Sequence, residues 1–368
     1  MIPLAIISSD IYSRTVRGFM EFPQKLDFKD VLIVPQNSAL ESRSEVELET
    51  SFRFINSKSE WSGIPIAAAN MDTVGTLEAL EVLGKHKLLT CLHKHYSFQN
   101  FSEFFRGSKK ERLYKYAAIS TGTRQKDLNT PYNVLSSFTK ISFVCIDVAN
   151  GYTRSFLKAI REFRRNFPKS IILAGNVVTP ERTVEVLSAG ADIVKIGIGP
   201  GSACTTRIKT GIGYPQFSAV MECAEAAHDF GGHIMSDGGC SSPGDVAKAF
   251  AAGADFVMLG GMFAGHEESG GTLVKNEDGR YFKKFYGMSS KEAMEKHSGG
   301  VANYRSSEGR SLLIPFKGSI EPTVLDILGG VRSACTYVGA WDLPSLRRKA
   351  RFIKVNSQYN QVFERFTQ

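Results

Sequence analysis

Short β-branched apolar runs alternate with helical-period segments along most of the chain. The apolar runs at 64–72, 88–93, 116–122, 142–151, 170–178, 192–201, 233–240 and 255–262 read as strands. Helical patterns follow them in turn at 76–86, 98–105, 130–138, 153–167, 180–189, 217–230, 243–252 and 322–329. Strands that are apolar on both faces and joined through helices mark a parallel sheet buried on both sides. Eight such units predict a closed (β/α)8 barrel, with a doubly wound open sheet as the competing architecture. The punctuation is regular: Ser188-Ala-Gly-Ala-Asp192 and Ala251-Ala-Gly-Ala-Asp255 each place glycine at a helix stop, where a left-handed residue costs least. No GxGxxG occupies the first strand-to-helix turn, which counts against the open sheet.

Two connections break the cadence, 197–216 after strand 6 and 263–320 after strand 8. Both leave the C-terminal face of a barrel, so the first is expected to be a catalytic loop and the second a flap. The domain reading is a single barrel over 21–368, with the flap inserted at 263–320 and a preceding N-terminal extension at 1–20.

Composition narrows the class. The chain has 368 residues, 42% hydrophobic and 22% charged, enough for a sizeable core and incompatible with disorder as the main state. Apolar runs stay short of the roughly 18 residues a membrane helix needs, and no membrane partner is expected. Lys+Arg 45 against Asp+Glu 37 leaves a net charge of +8. The basic residues cluster at 161–165 and 347–351 as solvated helix faces, without the interleaved aromatics of a nucleic-acid groove, so no nucleic-acid partner is expected. Cys91, Cys145, Cys204, Cys223, Cys240 and Cys335 lie far apart without a CxxC pair, which argues against disulfides or zinc and for a reducing, cytoplasmic setting. Asp10 interrupts the first apolar stretch, so residues 1–20 do not read as a secretory signal, and Met20 offers an alternative start.

The chemistry concentrates at strand ends. Gly197-Ile-Gly-Pro-Gly-Ser-Ala-Cys204-Thr-Thr-Arg207 sets flexible backbone before a thiol in polar, cationic surroundings, which favour a thiolate nucleophile. Ser236-Asp-Gly-Gly239 and Leu259-Gly-Gly261 close strands 7 and 8, where barrels hold phosphate on backbone N–H groups. Asp237 suits ribose hydroxyls or a helix N-cap equally. Asp147-Val-Ala-Asn-Gly151 and His93-Lys-His-Tyr96 end strands 4 and 2; Lys94 suits a second phosphate, and Asp147 suits a ligand or a cap. The flap carries Arg305, Ser307 and Glu308, the last a candidate general acid or base, against the alternative of a solvated hairpin.

These phrases, with Phe256-Val-Met-Leu-Gly-Gly261 and Phe285-Tyr-Gly-Met-Ser-Ser290, resemble the IMP dehydrogenase and GMP reductase family from about Leu26 to the C-terminus. The reductase side fits better. No regulatory module interrupts the barrel, Asp147–Tyr152 and Leu92–Tyr96 have the reductase form, and the flap lacks the dehydrogenase Arg-Tyr pair near Ser298 to Ala302. The resemblance implies NADPH-dependent reductive deamination of GMP to IMP, with Cys204, Thr206 and Glu308 catalytic. It implies GMP contacts from Ser202, Asp237, Gly238, Gly239, Gly260, Gly261, Met288, Ser289, Arg305, Ser307 and Gly309. Cofactor contacts would come from Ser42, Arg43, Lys94, Asp147, Val148 and Ala149, with Ser333, Ala334, Cys335, Thr336 and Tyr337 supplied by a neighbour in a homotetramer. A potassium ion would sit on carbonyls of Gly197, Gly199, Cys204 and Arg207. Ala203 stands where a larger β-branched residue is usual. The alternatives at this point are the dehydrogenase reaction with NAD, and a purine-nucleotide-binding barrel without catalysis.

Overall fold

The structure, a computed structural model, describes residues 23–106, 108–300, 306–356 and 358. The extension at 1–20 and Arg305 lie outside the described residues. Eight parallel strands form the centre: β1 Glu60–Ala68, β2 Leu88–Leu92, β3 Ala117–Thr121, β4 Phe143–Asp147, β5 Ile171–Val177, β6 Ile193–Ile196, β7 His233–Asp237 and β8 Phe256–Leu259. Each pairs with the next, and Val257 of β8 lies opposite Ile66 of β1, which closes the sheet into a (β/α)8 barrel. Closure explains the apolar runs, because a closed sheet ringed by helices buries both strand faces and leaves no edge. All five residues of β2 are buried.

The helices outside are α1 Leu77–Lys85, α2 Phe98–Phe104, α3 Gln125–Ser137, α4 Arg154–Asn166, α5 Pro180–Ser188, α6 Gln216–Phe230, α7 Pro243–Ala251 and α8 Glu321–Tyr337. Gly190 and Gly253 take φ of 115° and 113° at the stops after α5 and α7, as the repeated phrase predicts. The strands end earlier than their apolar patterns do. Helix α8 runs eight residues beyond the predicted 322–329, since Val331 and Cys335 continue its buried face. The basic run at 161–165 is not wholly solvated: the Arg164 guanidinium meets the buried Asp192 carboxylate at 2.6 Å and anchors α4 to the start of β6.

Strand Thr50–Arg53, absent from the pattern reading, pairs antiparallel with β1 and brings aromatic rings across the N-terminal end of the barrel. Phe52 packs on Phe256 at 4.5 Å and on Trp61 at 6.1 Å, and Phe54 meets Phe143 at 6.2 Å. That apolar plug leaves the C-terminal mouth for chemistry. The flap contains a three-stranded antiparallel sheet of Leu273–Lys275, Tyr281–Tyr286 and Ser311–Pro315, with a helix at Lys291–Ser298. Lys283 ties it down, donating to the carbonyls of His266, Glu267 and Ser269 at 2.9, 3.0 and 2.6 Å.

Candidate active site

The loop after β6 is shaped by its glycines. Gly197 has φ 151°, and a Cβ there would stand 2.1 Å from the Asp237 carbonyl, so loops β6 and β7 approach only because that atom is missing. Arg207 threads between Gly199 and Gly213, whose Cβ positions would each be 2.6 Å from its Cγ, and reaches Asp27 at 3.1 Å. Asp27 also accepts the Gln216 backbone N–H at 2.6 Å. Sequence reading made Arg207 the cation beside the thiol; its guanidinium instead pins the loop to the N-terminal segment.

Cys204, half-buried, closes a turn with its N–H on the Gly201 carbonyl at 3.0 Å. Its Sγ lies 3.2 Å from Thr206 Oγ1, and that hydroxyl donates to Glu308 Oε2 at 2.9 Å. Thiol, hydroxyl and carboxylate thus form one chain along which a proton can pass. Glu308 arrives from the flap by backbone pairing: Thr205 N–H donates to its carbonyl at 2.8 Å, and Arg310 N–H donates to the Ala203 carbonyl at 3.0 Å. Arg310 Nε adds a bond to the Ser202 carbonyl at 3.0 Å. The small Ala203 side chain is buried in this seam.

Apart from Arg305, the predicted nucleotide residues lie on the loops after β6, β7 and β8 and on the flap segments joined to the Cys204 loop. A Cβ on Gly261 would lie 2.8 Å from Ser202 Oγ, and one on Gly238 would lie 3.0 Å from Pro200, so the loops after β6, β7 and β8 meet. Gly239 follows Gly238 with φ 86°, and Gly260 faces Met71 Sδ. In the flap, Ser289 accepts Glu308 N–H at 3.1 Å, Ser307 Oγ donates to the carbonyls of Ser289 and Gly309, and Met288 lies between Ser289 and Gly287, which packs on Ala203. Ser242 caps α7 and Thr153 caps α4, so neither Asp237 nor Asp147 is a cap.

What Asp147 and Asp237 do share is a lysine that sequence reading missed. Lys195 of β6 is wholly buried; its ammonium is bonded to Asp147 and lies 3.2 Å from Asp237 Oδ2. Asn70 bridges to Asp147 at 2.9 Å, and Asn176 donates to Asp237 Oδ2 at 2.8 Å. Burial disfavours the Lys195 charge, yet the two carboxylates overcome it and raise its pKa well above the usual value. Burial likewise opposes ionisation of Asp147, but Lys195 holds it below the ordinary carboxylate value, with Lys94 helping from across the mouth. The signal was available: one lysine inside Ile193-Val194-Lys195-Ile196 cannot sit in a closed sheet unpaired.

The other predicted cofactor residues fall into two places. Val148 exchanges backbone hydrogen bonds with Gly175 and Asn176 beside Asp147, and Ala149 and Lys94 are exposed at the mouth. Ser42 and Arg43 belong to a 3-10 helix, Arg43–Glu45, that packs on α8, where Gln36 N–H donates to the Tyr337 carbonyl at 2.9 Å. Tyr337 is exposed, Ser333, Ala334 and Thr336 are half-buried, and Cys335 is sealed in the core, its thiol pushed up to about 12 by burial. Cys335 therefore offers no side chain to a ligand, because the helical period turns it inward with Val331.

For a monovalent cation, the donors would be backbone carbonyls. Gly197 already accepts from Asn176 Nδ2 at 2.8 Å and Arg207 from Gly211 N–H at 3.1 Å, which leaves each oxygen a second lone pair. An all-oxygen set of this kind fits a hard cation such as potassium. Among the described residues no three His, Cys, Asp or Glu side chains converge as a metal site.

Comparison with known proteins gives the kinship. A family model described as the IMP dehydrogenase / GMP reductase domain matches residues 25–361. The chain belongs to the IMP dehydrogenase / GMP reductase family. Within that family it is 57% identical over 339 residues to a human protein named GMP reductase 2, covering 92% of this chain and 97% of that one. It is 55% identical over 346 residues to GMP reductase of Phytophthora infestans, covering 94% and 95%. It is 54% identical over 339 residues to GMP reductase of Vibrio vulnificus, covering 92% and 97%. The family match spans the barrel, both long loops and the flap.

Proposed function

We propose that this chain is a GMP reductase, an oxidoreductase that converts GMP to IMP and ammonia. The observation that carries the reading is the hydrogen-bonded chain from Cys204 through Thr206 to Glu308, assembled from two separate loops at the barrel mouth. Cys204 gives its proton to this relay and its sulfur bonds to purine C2. The C2–N bond breaks as the amino group takes a proton from Glu308 through Thr206, because an amide ion is too basic to leave. A thioimidate joins C2 to Cys204. A bound nicotinamide cofactor, NADPH in this reading, would supply hydride to C2; as C2 accepts it, the C–S bond to Cys204 breaks and returns the thiolate. The balance is GMP, NADPH and a proton giving IMP, NADP and ammonia.

The rest of the mouth positions the reactants. Both Lys195 and Asn176 contact Asp237 at Oδ2, which leaves Oδ1 for ribose hydroxyls. Phosphate lies on the N–H groups of the glycine pairs after β7 and β8 and on the flap residues Met288, Ser289, Ser307 and Gly309. Lys94, Asp147, Val148 and Ala149 would contact the cofactor, with Lys94 beside its phosphates. Ser42, Arg43, Ser333, Ala334, Thr336 and Tyr337 form one cluster that serves a neighbouring subunit's cofactor in a homotetramer. Carbonyls of Gly197, Gly199, Cys204 and Arg207 would hold potassium, which would stiffen the loop. Six free cysteines accord with a reducing, cytoplasmic setting. None of the described helices is long and apolar enough to cross a membrane.

The test is a steady-state assay. Loss of nicotinamide absorbance with GMP and NADPH, with IMP and ammonia identified by mass spectrometry, is the expected result. Gain of absorbance with IMP and NAD would assign the dehydrogenase reaction instead. Cys204→Ala is expected to abolish turnover and keep nucleotide binding.

A further inference from the structure

Outside the site stands a cluster that ties the flap to the barrel. Asp72, in the loop after β1, is 6% exposed, and its Oδ2 accepts three flap groups: Tyr286 OH at 2.7 Å, His297 Nε2 at 2.8 Å and Lys296 Nζ at 3.0 Å. Lys296 also donates to Tyr286 OH at 3.1 Å. The carboxylate therefore holds both ends of one flap unit, the strand end at Tyr286 and the last turn of the helix Lys291–Ser298. Met288 and Ser289 lie inside that unit, and the Ser289 carbonyl fixes Glu308 N–H at 3.1 Å.

A second element joins here. The His297 ring stacks on His95 with centroids 3.5 Å apart and planes 9° from parallel, and His95 belongs to the loop after β2 that carries Lys94. The charged and titratable groups around the pair are Asp72, Lys296, Tyr286, Lys94 and His93.

We propose that Asp72 is a positioning residue, the latch that sets the flap so that Glu308 reaches Thr206, and that the His297–His95 stack registers the cofactor loop against the same latch. The path is continuous: Asp72 to Tyr286, along the backbone to Ser289, across to Glu308, then Thr206 and Cys204. Burial raises the cost of the Asp72 charge, but His297, Tyr286 and Lys296 more than offset it and keep the carboxylate below its usual pKa. Coupling to the proposed GMP site runs through Met288 and Ser289, while Asp237 and the glycine pairs lie on other loops.

The inference rests on the roles given to Cys204 and Glu308, and its first readout needs no turnover. Asp72→Asn is expected to raise the rate of Cys204 alkylation by iodoacetamide about tenfold, read on the Cys204 peptide by mass spectrometry, because charge-assisted bonds to the flap are lost. In the same variant kcat is expected to fall about tenfold or more, with a smaller rise in KM for GMP, since only Met288 and Ser289 of its proposed contacts lie in the latched unit. Asp72→Glu restores most of the rate. His297→Gln, which keeps a donor but removes the stack, gives a smaller change in both readouts and serves if Asp72→Asn unfolds. A folded Asp72→Asn protein with unchanged alkylation has no latch, and faster alkylation with unchanged kcat refutes the positioning role. An inactive wild-type chain with a normal alkylation response would refute the reductase reading alone.

Discussion

The buried ammonium of Lys195 lies 3.2 Å from the carboxylate of Asp237 and is bonded on its other side to Asp147. One cation thus answers two carboxylates, the one proposed to hold the GMP ribose and the one proposed to face the cofactor. Lys195→Met leaves those carboxylates confronting each other, and like charges at that range cannot both stay ionised. The expected outcome is a loss of at least about tenfold in affinity for GMP and NADPH together, with stability lower by about 3–5 kcal/mol. Calorimetric titration of each ligand, beside urea unfolding, checks it; loss of one affinity alone would break the link between the two subsites.

The relay makes a separate kinetic prediction. Thr206→Val removes the hydroxyl between Cys204 Sγ and Glu308 Oε2 while keeping the side-chain shape. Single-turnover ammonia release is expected to slow by about 10²–10⁴, the range for a general acid, with GMP binding retained. Glu308→Gln should cost a similar factor. Since the two act as one unit, the double variant should be little worse than either single one. Fully additive losses would mean that the two groups act on different protons.

Much of the fold is legible in the sequence because parallel strands buried on both faces leave unbroken apolar runs, and Gly190 and Gly253 mark where helices stop. The site is partly legible for a related reason: Gly197, Gly238 and Gly261 occupy places where any Cβ would collide with a neighbouring loop. Contacts between distant segments leave no such mark. The Thr50–Arg53 strand, the Asp27–Arg207 pair and the Asp72 cluster each join residues with no common periodicity. Arg207 shows the error this causes, since adjacency to Cys204 in sequence suggested electrostatic help that the fold directs to Asp27.

His93 predicts how stability follows pH. Its ring stacks on Tyr96 at 3.9 Å, and its Nδ1 accepts the His95 N–H at 3.3 Å, a bond that only the neutral imidazole can make. Burial, against the opposing charge of Asp72, lowers its pKa from 6.5 to about 4. The unfolded chain therefore takes up the proton first as pH falls. The stabilisation is complete above about pH 6.5, declines between 6.5 and 4, and amounts to on the order of 3 kcal/mol. His95, also lowered to about 4, adds to the same decline. Urea unfolding across this window should show His93→Phe less pH-dependent than the parent; equal slopes would place the loss elsewhere.

The exposed ring of Tyr337 supplies the last prediction. At 64% exposure it is large for a surface aromatic, and it stands at the end of α8 beside the segment carrying Ser42 and Arg43. If this cluster completes a neighbour's cofactor site, a defect there and a defect at the thiol lie in different sites of the assembly. Tyr337→Ala should raise KM for NADPH in the homo-oligomer, and Cys204→Ala should be inactive. Co-refolding the two chains in equal amounts then regenerates sites in which Cys204 comes from one subunit and Tyr337 from the other. Random pairing of neighbours in a cyclic ring gives about a quarter of the sites intact. Activity at low NADPH is therefore expected to exceed the sum of the parents, with size-exclusion and light scattering reporting the tetramer. No recovery in a mixture that demonstrably exchanges subunits would place both residues in one subunit's site or remove Tyr337 from cofactor binding.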